Sequence, residues 1–530
     1  MKITGKNYQK ILRELDLKKY PSLPDNLLSV REKLIAKQEL GLIEKVRTQK
    51  LLEQYFSELE AQKNKLYVSK LNFSKFSHRP LLDFQIDGVK FLLLRNRAIL
   101  ADDTGLGKSI QAVTAALFLP ESAKILIVTP RSLKYNIATE IEHYSNSFKV
   151  IEKTWEKGYK FTIVHYDSLK KWEKDILKEK FDCVISDESH LLKNSKTQRS
   201  KHFSNIIKDV ERLWLLTGTP INNRPIDFYN LLKLIYHPLS KDWIKYVTRY
   251  CGGFQNHWGQ WDVNGASNLQ ELHELTKESM LRRLKIDHLK ELPNKNRQPI
   301  YLHLENIKGY QKIIDDYIKQ EIDFKKSLGI NIDEDDILDI TKIMLWRKFC
   351  AFEKINDGSL IELIENNLPN KIVVFTNFTS VVDTVYNHFG YKKCRFIDGR
   401  IKDPKRRLEI IDEFQYSSEL EVLVLNFKVG SVGLNIQKAN IGIANDMDFV
   451  PSTMIQAEDR MWRMGQKNEV TFYYPIYKGT IEEVIFNIVN SKMNNISQII
   501  EGKKEDFFDK EEQNTPKQTS VLQEIINSMK

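Results

Sequence analysis

The sequence predicts an α/β protein with two parallel-sheet lobes, a helical region between them and a helical N-terminal extension. Short apolar runs alternate with helical patterns in two separate series, and most runs end in small or polar residues. Parallel strands have this pattern because both of their faces are buried and functional side chains follow their C-terminal ends. With 530 residues, the chain also holds about three or four domains' worth of sequence.

The predicted strands fall into two groups separated by a helical pattern from about Pro225 to Ile355. The first group is AILAD, KILIVTP, FTIVHYD, FDCVISDE and ERLWLLTGTP. The second group is NKIVVFTNF, KCRFIDG, LEVLVLNF, IGIANDMD and VTFYYPIY. Two consecutive α/β series indicate two similar lobes that face a cleft.

The N-terminal segment is rich in Lys, Glu, Gln and Leu, and Leu52, Phe56 and Leu59 have the spacing of an amphipathic helix. It is either an extension packed on the next domain or an arm that binds DNA or a protein partner. The expected segments are a helical extension (1–78), a first lobe with a helical protrusion from about 225 (79–297), a helical linker or protrusion (298–357), a second lobe (358–490), and a brace-like helix with a charged tail (491–530).

Composition narrows the class of protein. Lys and Arg number 81 against 71 Asp and Glu, a net charge of +10, which favours a polyanionic partner. No apolar stretch is long enough to cross a bilayer, and no secretory leader is apparent, so we expect no membrane association. The four cysteines are scattered, which indicates reduced thiols in an intracellular protein and argues against zinc.

The strongest local signal is the segment 101–109, ADDTGLGKS, which lies between a predicted strand and a predicted helix. Glycines let backbone N–H groups approach phosphates, and a helix N-terminus favours an anion. We therefore expect Lys108 to reach the β- and γ-phosphates of ATP and Ser109 to coordinate Mg²⁺. Asp102 replaces the first glycine of the strict phosphate-loop pattern. The alternative is a GKS sequence on a turn by chance.

A second signal is Asp187–Glu188 at the end of a predicted buried strand. Adjacent carboxylates there suit metal binding by one and water activation by the other. Asp187 is the expected Mg²⁺ ligand, and Glu188 is expected to orient and deprotonate the attacking water. The alternative role is a polar cap on the strand.

A third signal is the pair Arg460 and Arg463 in the second series. If the segment is helical, a spacing of three places both side chains on one face. Two such cations repel unless an anion neutralises them, and the γ-phosphate of ATP on the other lobe is a suitable anion. We expect the pair to act as arginine fingers. Surface salt bridges are the alternative.

In chain order these segments resemble the superfamily two helicase core, and within it the Swi/Snf-like ATPases. The segments that match the successive family motifs are LLDFQIDGVKFLL, LADDTGLGKS, ILIVTPRSL, ISDESHLLKN, LLTGTPINN, MLRRLKIDHLKELPNK, KIVVFTNF, NFKVGSVGLN and QAEDRMWRMGQ. The resemblance runs from about Arg79 to Asn490 and implies two RecA-like lobes with Swi/Snf-type helical insertions. Asp103 and Thr104 stand where most members carry Glu and Met.

One further stretch, RYCGGFQNHWGQWDVNGASNLQEL, is similar to the HepA-related (HARP-like) annealing-helicase branch of this family. The match consists of Trp and Gly landmarks and not of catalytic residues. No accessory substrate-recognition domain, zinc finger or nuclease of that branch is recognisable. Trp258 and Trp261, which lie near glycines, are candidates for contact with DNA.

The resemblance implies roles for further residues. Gln85 would read the adenine, and ATP and Mg²⁺ would be the ligands of the cleft. The remaining nucleotide contacts would be Thr104, Gly105, Leu106, Gly107 and Gly433. Candidate DNA contacts are Thr129, Pro130 and Arg131 in the first lobe and Thr376, Phe427, Lys428 and Gly430 in the second. Thr217 and Thr219 would link nucleotide state to DNA grip, unless they only cap a turn, and His190 would relay nucleotide state.

The expected activity is that of a DNA-dependent ATPase that moves on duplex or forked DNA and remodels or reanneals it. Two alternatives remain open, namely a helicase that separates strands of DNA or RNA, and an ATP-gated DNA-binding switch subunit. A monomeric motor is expected, with a protein partner bound through the N-terminal helices or the C-terminal tail. The abundance of Lys, Asn and Ile suggests an AT-rich genome and the cytoplasm of a bacterium or phage-infected cell more than a nucleus.

Overall fold

The computed structural model describes residues 68–73, 80–327, 339–427, 435–503 and 508. The chain divides into two units, Met1–Asn96 and Arg97–Lys530. In the first unit, helix α1 spans Asp83–Leu93. The backbone N–H of Leu82 donates to Oε1 of Gln85 at 3.0 Å, so the Gln85 side chain closes the first turn of its own helix.

The second unit contains both lobes. The first lobe consists of β1 (Arg97–Leu100), α2 (Lys108–Leu117), β2 (Ile125–Thr129), α3 (Lys134–Glu142), β3 (Phe148–Val150), β4 (Phe161–His165), α4 (Leu169–Glu179), β5 (Cys183–Ser186), α5 (Gln198–Ile206), β6 (Arg212–Leu216), α6 (Ile226–Leu234), α7 (Trp243–Tyr250), β7 (Phe254–Gln255), β8 (Trp261–Asp262), α8 (Leu269–Thr276) and β9 (Met280–Leu281). Short 3₁₀ helices span Tyr166–Ser168, Ser189–Leu192 and Pro238–Ser240.

The first lobe has a parallel sheet of seven strands in the order β3-β4-β2-β5-β6-β1-β9. Every residue of β2 and β5 is buried, which explains their continuous apolar sequences. Strands β5, β6 and β1 are neighbours, and their C-terminal ends lie at one edge of the sheet. The segments after these three strands, which carry the predicted chemistry, are therefore brought together.

The second lobe consists of α9 (Lys285–His288), β10 (Lys295–Leu302), α10 (Ile307–Ser327), α11 (Asp339–Asn356), α12 (Ser359–Glu365), β11 (Ile372–Thr376), α13 (Thr379–Lys393), β12 (Cys394–Ile397), α14 (Pro404–Tyr416), β13 (Val422–Asn426), β14 (Ile441–Ala444), α15 (Pro451–Glu458), β15 (Val470–Tyr477) and α16 (Ile481–Glu501). Its six strands are parallel, in the order β10-β15-β14-β11-β13-β12. The two parallel sheets with their helices confirm the predicted fold class.

The region between the two strand series differs from its helical prediction, because it also contains the β7–β8 hairpin, β9 and β10. Strands of two residues are too short to show a period. Strand β10 lies at the edge of its sheet and is polar in its first half, so it lacks the apolar run that marks a central strand. It also crosses the expected boundary at residues 297–298.

Helix α16 connects the cores of the two lobes. Its first half contributes Ile481, Ile485 and Val489 to the apolar cluster around the second sheet. Its last turns contribute Ile496, Ile499 and Ile500 to the cluster around the first sheet. The helix is continuous through the expected boundary at residue 490. Among the described helices, none is long and apolar enough to span a membrane.

Candidate active site

The phosphate loop connects β1 to α2 as the sequence predicts. Helix α2 begins at Lys108, directly after Gly107, which has φ +76°, and Gly105 has φ +90°. Both are values that favour glycine. The Lys108 ammonium donates to the carbonyl oxygens of Asp102 at 2.8 Å and Asp103 at 3.1 Å. Burial lowers the pKa of Lys108, although nearby carboxylates oppose this shift, so a phosphate would be a strong competitor for its bonds.

The structure explains the acidic residue that replaces the first glycine of the loop. Asp102 is fully buried and accepts from Nε of Arg283 at 2.9 Å and from Nη2 at 2.5 Å. Gln111 of α2 donates to the same carboxylate at 3.1 Å and accepts from Arg283 at 2.7 Å. Asp102 is therefore held in a buried network that fixes the loop on the first turns of its helix.

The carboxylate pair follows β5. The Asp187 carboxylate accepts from the Thr129 hydroxyl at 3.3 Å. Glu188 has φ +49° and ψ +46°, a left-handed conformation that is strained for a residue with a side chain. Its Oε2 lies 3.2 Å from Nδ1 of His190, which lies 3.3 Å from the Thr217 hydroxyl after β6. Thus His190 lies between the carboxylate and the segment after the next strand.

The two carboxylates have opposite electrostatic environments. Burial, followed by the charge of Glu188, raises the pKa of Asp187. Burial also acts to raise the pKa of Glu188, but the His190 hydrogen bond and the charges of Lys108 and Arg460 lower it overall. Glu188 is therefore the carboxylate that is kept ionised, as a proton acceptor must be.

A Mg²⁺ ion fits the oxygen donors at this edge. The Ser109 hydroxyl lies in the first turn of α2, and Asp187 supplies a buried carboxylate. In the described residues, no three His, Cys, Asp or Glu side chains form a group that could hold a metal by themselves. Mg²⁺ commonly takes one or two protein ligands and completes its shell with water and substrate phosphates, so this small donor set is compatible with it.

The arginine pair does not lie on a helix, and this part of the prediction is wrong. Helix α15 ends at Glu458, and Arg460 and Arg463 lie in the turns that follow. The backbone N–H of Arg460 donates to the Ala457 carbonyl at 3.2 Å, three residues back, and the Arg460 carbonyl accepts from the backbone N–H of Ile436 at 3.0 Å, a group distant in the sequence, so the α-helix does not continue. Arg460 nevertheless lies close enough to Glu188 for their charges to interact.

Burial lowers the pKa of both arginines, and the carboxylates near them oppose this shift only in part. The charges of Glu188 and Asp459 act to raise the pKa of Arg460, and the charge of Asp459 acts to raise the pKa of Arg463. Two half-buried guanidinium groups with incomplete compensation would be stabilised by an anion placed near them. The structure thus brings Arg460 of the second lobe to the carboxylate pair of the first.

A set of polar contacts joins the loop to the second lobe and to the last residue of α16. Asp103 lies 2.6 Å from Arg282, which lies 3.0 Å from Glu501. Asp103 also accepts from the backbone N–H of Lys285 at 3.0 Å, and the Lys285 ammonium lies 2.7 Å from Asp459. We call this set the interlobe polar chain, and its members in order are Glu501, Arg282, Asp103, Lys285 and Asp459.

The two residues that depart from the family pattern both take part in these contacts. Asp103 is a member of the interlobe polar chain, and the Thr104 hydroxyl donates to the Asp459 carboxylate, next to Arg460. Nothing near Asp103 and Thr104 in the sequence predicts these partners, and the basic run MLRRLK is the one signal that could have indicated Arg282. Arg282, Arg283, Lys285 and Asp459 are the site residues that sequence reasoning missed.

The segment that follows β6 contacts both the phosphate loop of the first lobe and helix α15 of the second lobe. A Cβ atom at Gly218 would lie 2.8 Å from Cγ2 of Thr104, so only glycine lets this segment pack on the phosphate loop. Thr219 donates its backbone N–H to the Thr217 hydroxyl at 3.1 Å, a local turn cap. Its own hydroxyl accepts from Gln456 of α15 at 3.2 Å, which is a contact between lobes. The Thr217 hydroxyl thus caps a local turn and Thr219 makes a contact between the lobes, while a link from nucleotide state to DNA grip stays a prediction.

The predicted DNA contacts are only partly accessible. Thr129 and Thr376 are buried, and Phe427 is buried and stacks on Phe375 with a centroid distance of 5.3 Å. Their side chains are not available to DNA, whereas Arg131 is exposed and Pro130 is half-buried. Lys428, Gly430 and Gly433 lie outside the described residues, and Gln85 belongs to the first unit.

Comparison with known proteins agrees with this geometry. The SNF2-related domain matches residues 84–355, and the helicase conserved C-terminal domain matches residues 356–465. The chain is 32% identical over 432 residues to the SWI/SNF-related matrix-associated actin-dependent regulator of chromatin subfamily A-like protein 1 of Xenopus tropicalis, with 79% of this chain and 45% of that protein covered. It is 30% identical over 450 residues to the DNA annealing helicase and endonuclease ZRANB3 of Bos taurus, with 80% and 41% covered.

The chain therefore spans less than half the length of these two relatives. The solved Sulfolobus solfataricus SWI2/SNF2 ATPase core in complex with dsDNA is 23% identical, with 80% of this chain and 93% of that chain covered and a TM-score of 0.38. The SNF2-related domain alone matches more than half of the chain, and the helicase C-terminal domain follows it directly. The resemblance inferred from the motifs is confirmed, and the chain belongs to the SNF2-related family of helicase-type proteins.

Proposed function

We propose that this chain is an ATP-dependent DNA translocase that hydrolyses ATP to move on duplex or forked DNA and to remodel or reanneal it. The observation that carries the proposal is a site shared between two lobes. The phosphate loop and the pair Asp187–Glu188 come from the first lobe, and Arg460 comes from the second. A site of this kind is complete only in one arrangement of the lobes, so hydrolysis is tied to their movement.

The proposed chemistry assigns one task to each group. Lys108 would bind the β- and γ-phosphates, and Ser109 and Asp187 would hold a Mg²⁺ ion, which would supply neutralisation of phosphate charge. Glu188 orients water and accepts its proton while the water oxygen attacks the γ-phosphorus. The bond from that phosphorus to the bridging oxygen breaks, and ADP leaves. Arg460 and Arg463 stabilise the charge that develops on the transferred phosphoryl group.

DNA is the proposed partner for two reasons. Names of relatives describe a DNA annealing helicase and a regulator of chromatin, and the chain has a net charge of +10. Contacts to the phosphate backbone would give affinity that depends on salt and little on sequence. The interlobe contacts of Thr219 and of the interlobe polar chain would transmit nucleotide state to the DNA-binding faces. The division into an N-terminal extension, two lobes and a C-terminal tail stays part of this proposal, with β10 and α16 crossing two of its expected boundaries.

The proposed setting is intracellular, with a monomeric motor and a protein partner that binds the N-terminal helices or the C-terminal tail. Both of those segments lie almost entirely outside the described residues. The relatives above come from animals, which gives no support to the bacterial or phage host suggested by composition.

The test is the steady-state ATPase rate without nucleic acid and with duplex DNA, forked DNA, single-stranded DNA or RNA. Glu188→Gln serves as the blank, and Glu419→Gln, at an exposed surface position, serves as the matched control. Stimulation by duplex or forked DNA is expected. Stimulation only by single strands or RNA would indicate a strand-separating helicase, and no stimulated turnover would indicate the ATP-gated switch.

A further inference from the structure

A small hairpin projects from the first lobe between α7 and α8. Its strands β7 and β8 pair antiparallel, with Phe254 opposite Asp262 and Gln255 opposite Trp261. We call residues 251–266 the tryptophan hairpin. It contains the Trp and Gly landmarks of the sequence, and none of its residues belongs to the ATP site described above.

The base of the tryptophan hairpin is fixed to α7. The backbone N–H of Gly253 donates to the Val247 carbonyl at 2.9 Å, and a Cβ atom at Gly253 would lie 2.9 Å from that same oxygen. A Cβ atom at Gly265 would lie 2.7 Å from the Cys251 carbonyl. The glycines thus allow a backbone approach that no side chain permits. Trp261 packs edge-on against Trp243, at a centroid distance of 5.5 Å.

The tip of the hairpin is also rigid. The Asn256 side-chain oxygen accepts from the backbone N–H groups of Trp258 at 3.0 Å and Gln260 at 2.9 Å. The Asn256 backbone donates to the Gln260 carbonyl at 2.8 Å. An asparagine that caps its own turn in this way holds the tip in one conformation. The ring of His257 lies 4.8 Å from that of Trp258.

This rigid tip presents an indole to solvent. Trp258 is 77% exposed, whereas the other seven tryptophans of the chain, all among the described residues, are buried or half-buried. Trp258 and Trp261 are three residues apart, yet Trp261 packs on Trp243 in the lobe, whereas most of the Trp258 side chain faces solvent. Isolated apolar side chains are common on protein surfaces. Trp258 differs because a capped turn holds its backbone in place, so a ligand that binds its ring costs little ordering entropy.

The surroundings of Trp258 favour a nucleobase over a protein as the ligand. The neighbouring exposed side chains Gln255, His257 and Gln260 offer hydrogen-bond donors and acceptors, and Phe254 is the other exposed apolar ring of the tryptophan hairpin. This apolar area is far below what a stable protein interface needs. A flat ring flanked by amides matches instead the face and the edge of a base.

Bases inside a continuous duplex have their faces covered by their neighbours, so a ring can stack only on an unpaired base or on the last base of a duplex. We infer that Trp258 stacks on such a base at a junction between duplex and single strand, and that the tryptophan hairpin gives the motor its preference for forked DNA. This inference rests on the proposed function, because it names the DNA structure on which the motor acts.

The test measures the Kd of a labelled forked DNA by fluorescence anisotropy, and the Kd of a covalently closed circular duplex, which exposes no base face, by competition against it. Trp258→Ala is expected to weaken fork binding about 10-fold, the factor that one stacked base supplies, with duplex binding unchanged. Trp258→Phe is expected to retain most of the affinity because it keeps a ring. Tyr416→Ala, which removes an 80% exposed ring in the second lobe, is the matched control and is expected to have no effect.

A fluorescent adenine analogue at the junction supplies a second readout, since stacking on an indole quenches it. Equal losses on fork and duplex, or no loss with Trp258→Ala, would overturn the inference. ATPase stimulation measured in the same samples tests the proposed function separately. A selective fork effect without stimulated turnover would retain the hairpin as a junction reader and reject the motor.

Discussion

One pair of arginines interacts with the carboxylates of the phosphate loop and another pair with Asp459, and the two pairs differ in how their charge is balanced. Arg282 and Arg283, which follow β9, contact the carboxylates of the loop directly. Burial acts to lower the pKa of Arg282, but Asp103 and Glu501 raise it overall.

In the second lobe, burial prevails and lowers the pKa of both Arg460 and Arg463. The difference suggests two expected roles. Where the neighbouring carboxylates outweigh burial, as at Arg282, we expect removal of the guanidinium to affect mainly stability. Where burial outweighs them, as at Arg460 and Arg463, an additional anion would be stabilising, and we expect removal to affect mainly activity.

The largest effect is expected from Arg460→Ala, which removes the cation that lies next to Glu188. The ATPase kcat should fall by about 10³–10⁵-fold, the range for an arginine finger, with the thermal midpoint nearly unchanged. Arg406→Ala, which removes an exposed arginine of α14, is the control and should leave kcat unaltered. A loss of stability comparable to that of a loop-carboxylate variant would contradict the comparison.

Asp102→Ala should act on stability instead. It leaves the Arg283 guanidinium buried without its carboxylate, which costs about 3–5 kcal/mol of unfolding free energy. The double variant Asp102→Ala/Arg283→Met removes both charges and should recover part of that loss. Urea unfolding measures all three proteins, and a double variant no more stable than Asp102→Ala would reject the buried pair as the cause.

Glu458 extends the comparison to a buried carboxylate whose negative charge is balanced by two neighbouring cations. It lies 2.6 Å from Nη2 of Arg297 and 3.1 Å from Lys295. These cations, together with hydrogen bonds, lower its pKa to about 2 despite burial. Because the folded-state pKa is below the unfolded one, the stabilisation is complete above about pH 4.5 and is lost as pH falls towards 2.

The stability advantage of the wild type over Glu458→Gln should therefore shrink by about 2 kcal/mol between pH 6 and pH 3. Urea unfolding at both pH values gives this difference directly. Glu419→Gln, an exposed change, should show no such pH dependence relative to the wild type. An advantage that stays constant with pH would mean that the Glu458 carboxylate is not held ionised.

The smallest effect is expected from Thr104→Val, which removes the hydroxyl that donates to Asp459. One hydrogen bond is worth about 1 kcal/mol, so kcat/KM for ATP should fall roughly fivefold. Thr104→Ser retains the donor and should restore the rate. An equal loss in both variants would point to the shape of the loop and not to this contact.

The strands and the residues that follow them could be predicted because their signals are local. The apolar run before Asp187 and the glycines before Lys108 are contiguous features of the sequence. The partner of Asp102 could not be predicted in this way, since Arg283 lies 181 positions away and only the sheet brings it near. The end of α15 before Arg460 could not be predicted for the same reason, because the backbone N–H that bonds to the Arg460 carbonyl belongs to Ile436, which is distant in the sequence. Trp258 and Trp261 look alike in sequence, and only packing separates them.

Helix α16 has a consequence for how the chain is made. The last strand of the first sheet, β9, is synthesised long before Ile496, Ile499 and Ile500, which complete the apolar cluster around Leu269 and Leu272. During translation, the first lobe therefore leaves the ribosome with its strands present and an apolar surface uncovered. That surface stays exposed until the end of the second lobe has emerged, so a stalled or shortened chain would aggregate through the first lobe although every one of its strands is present.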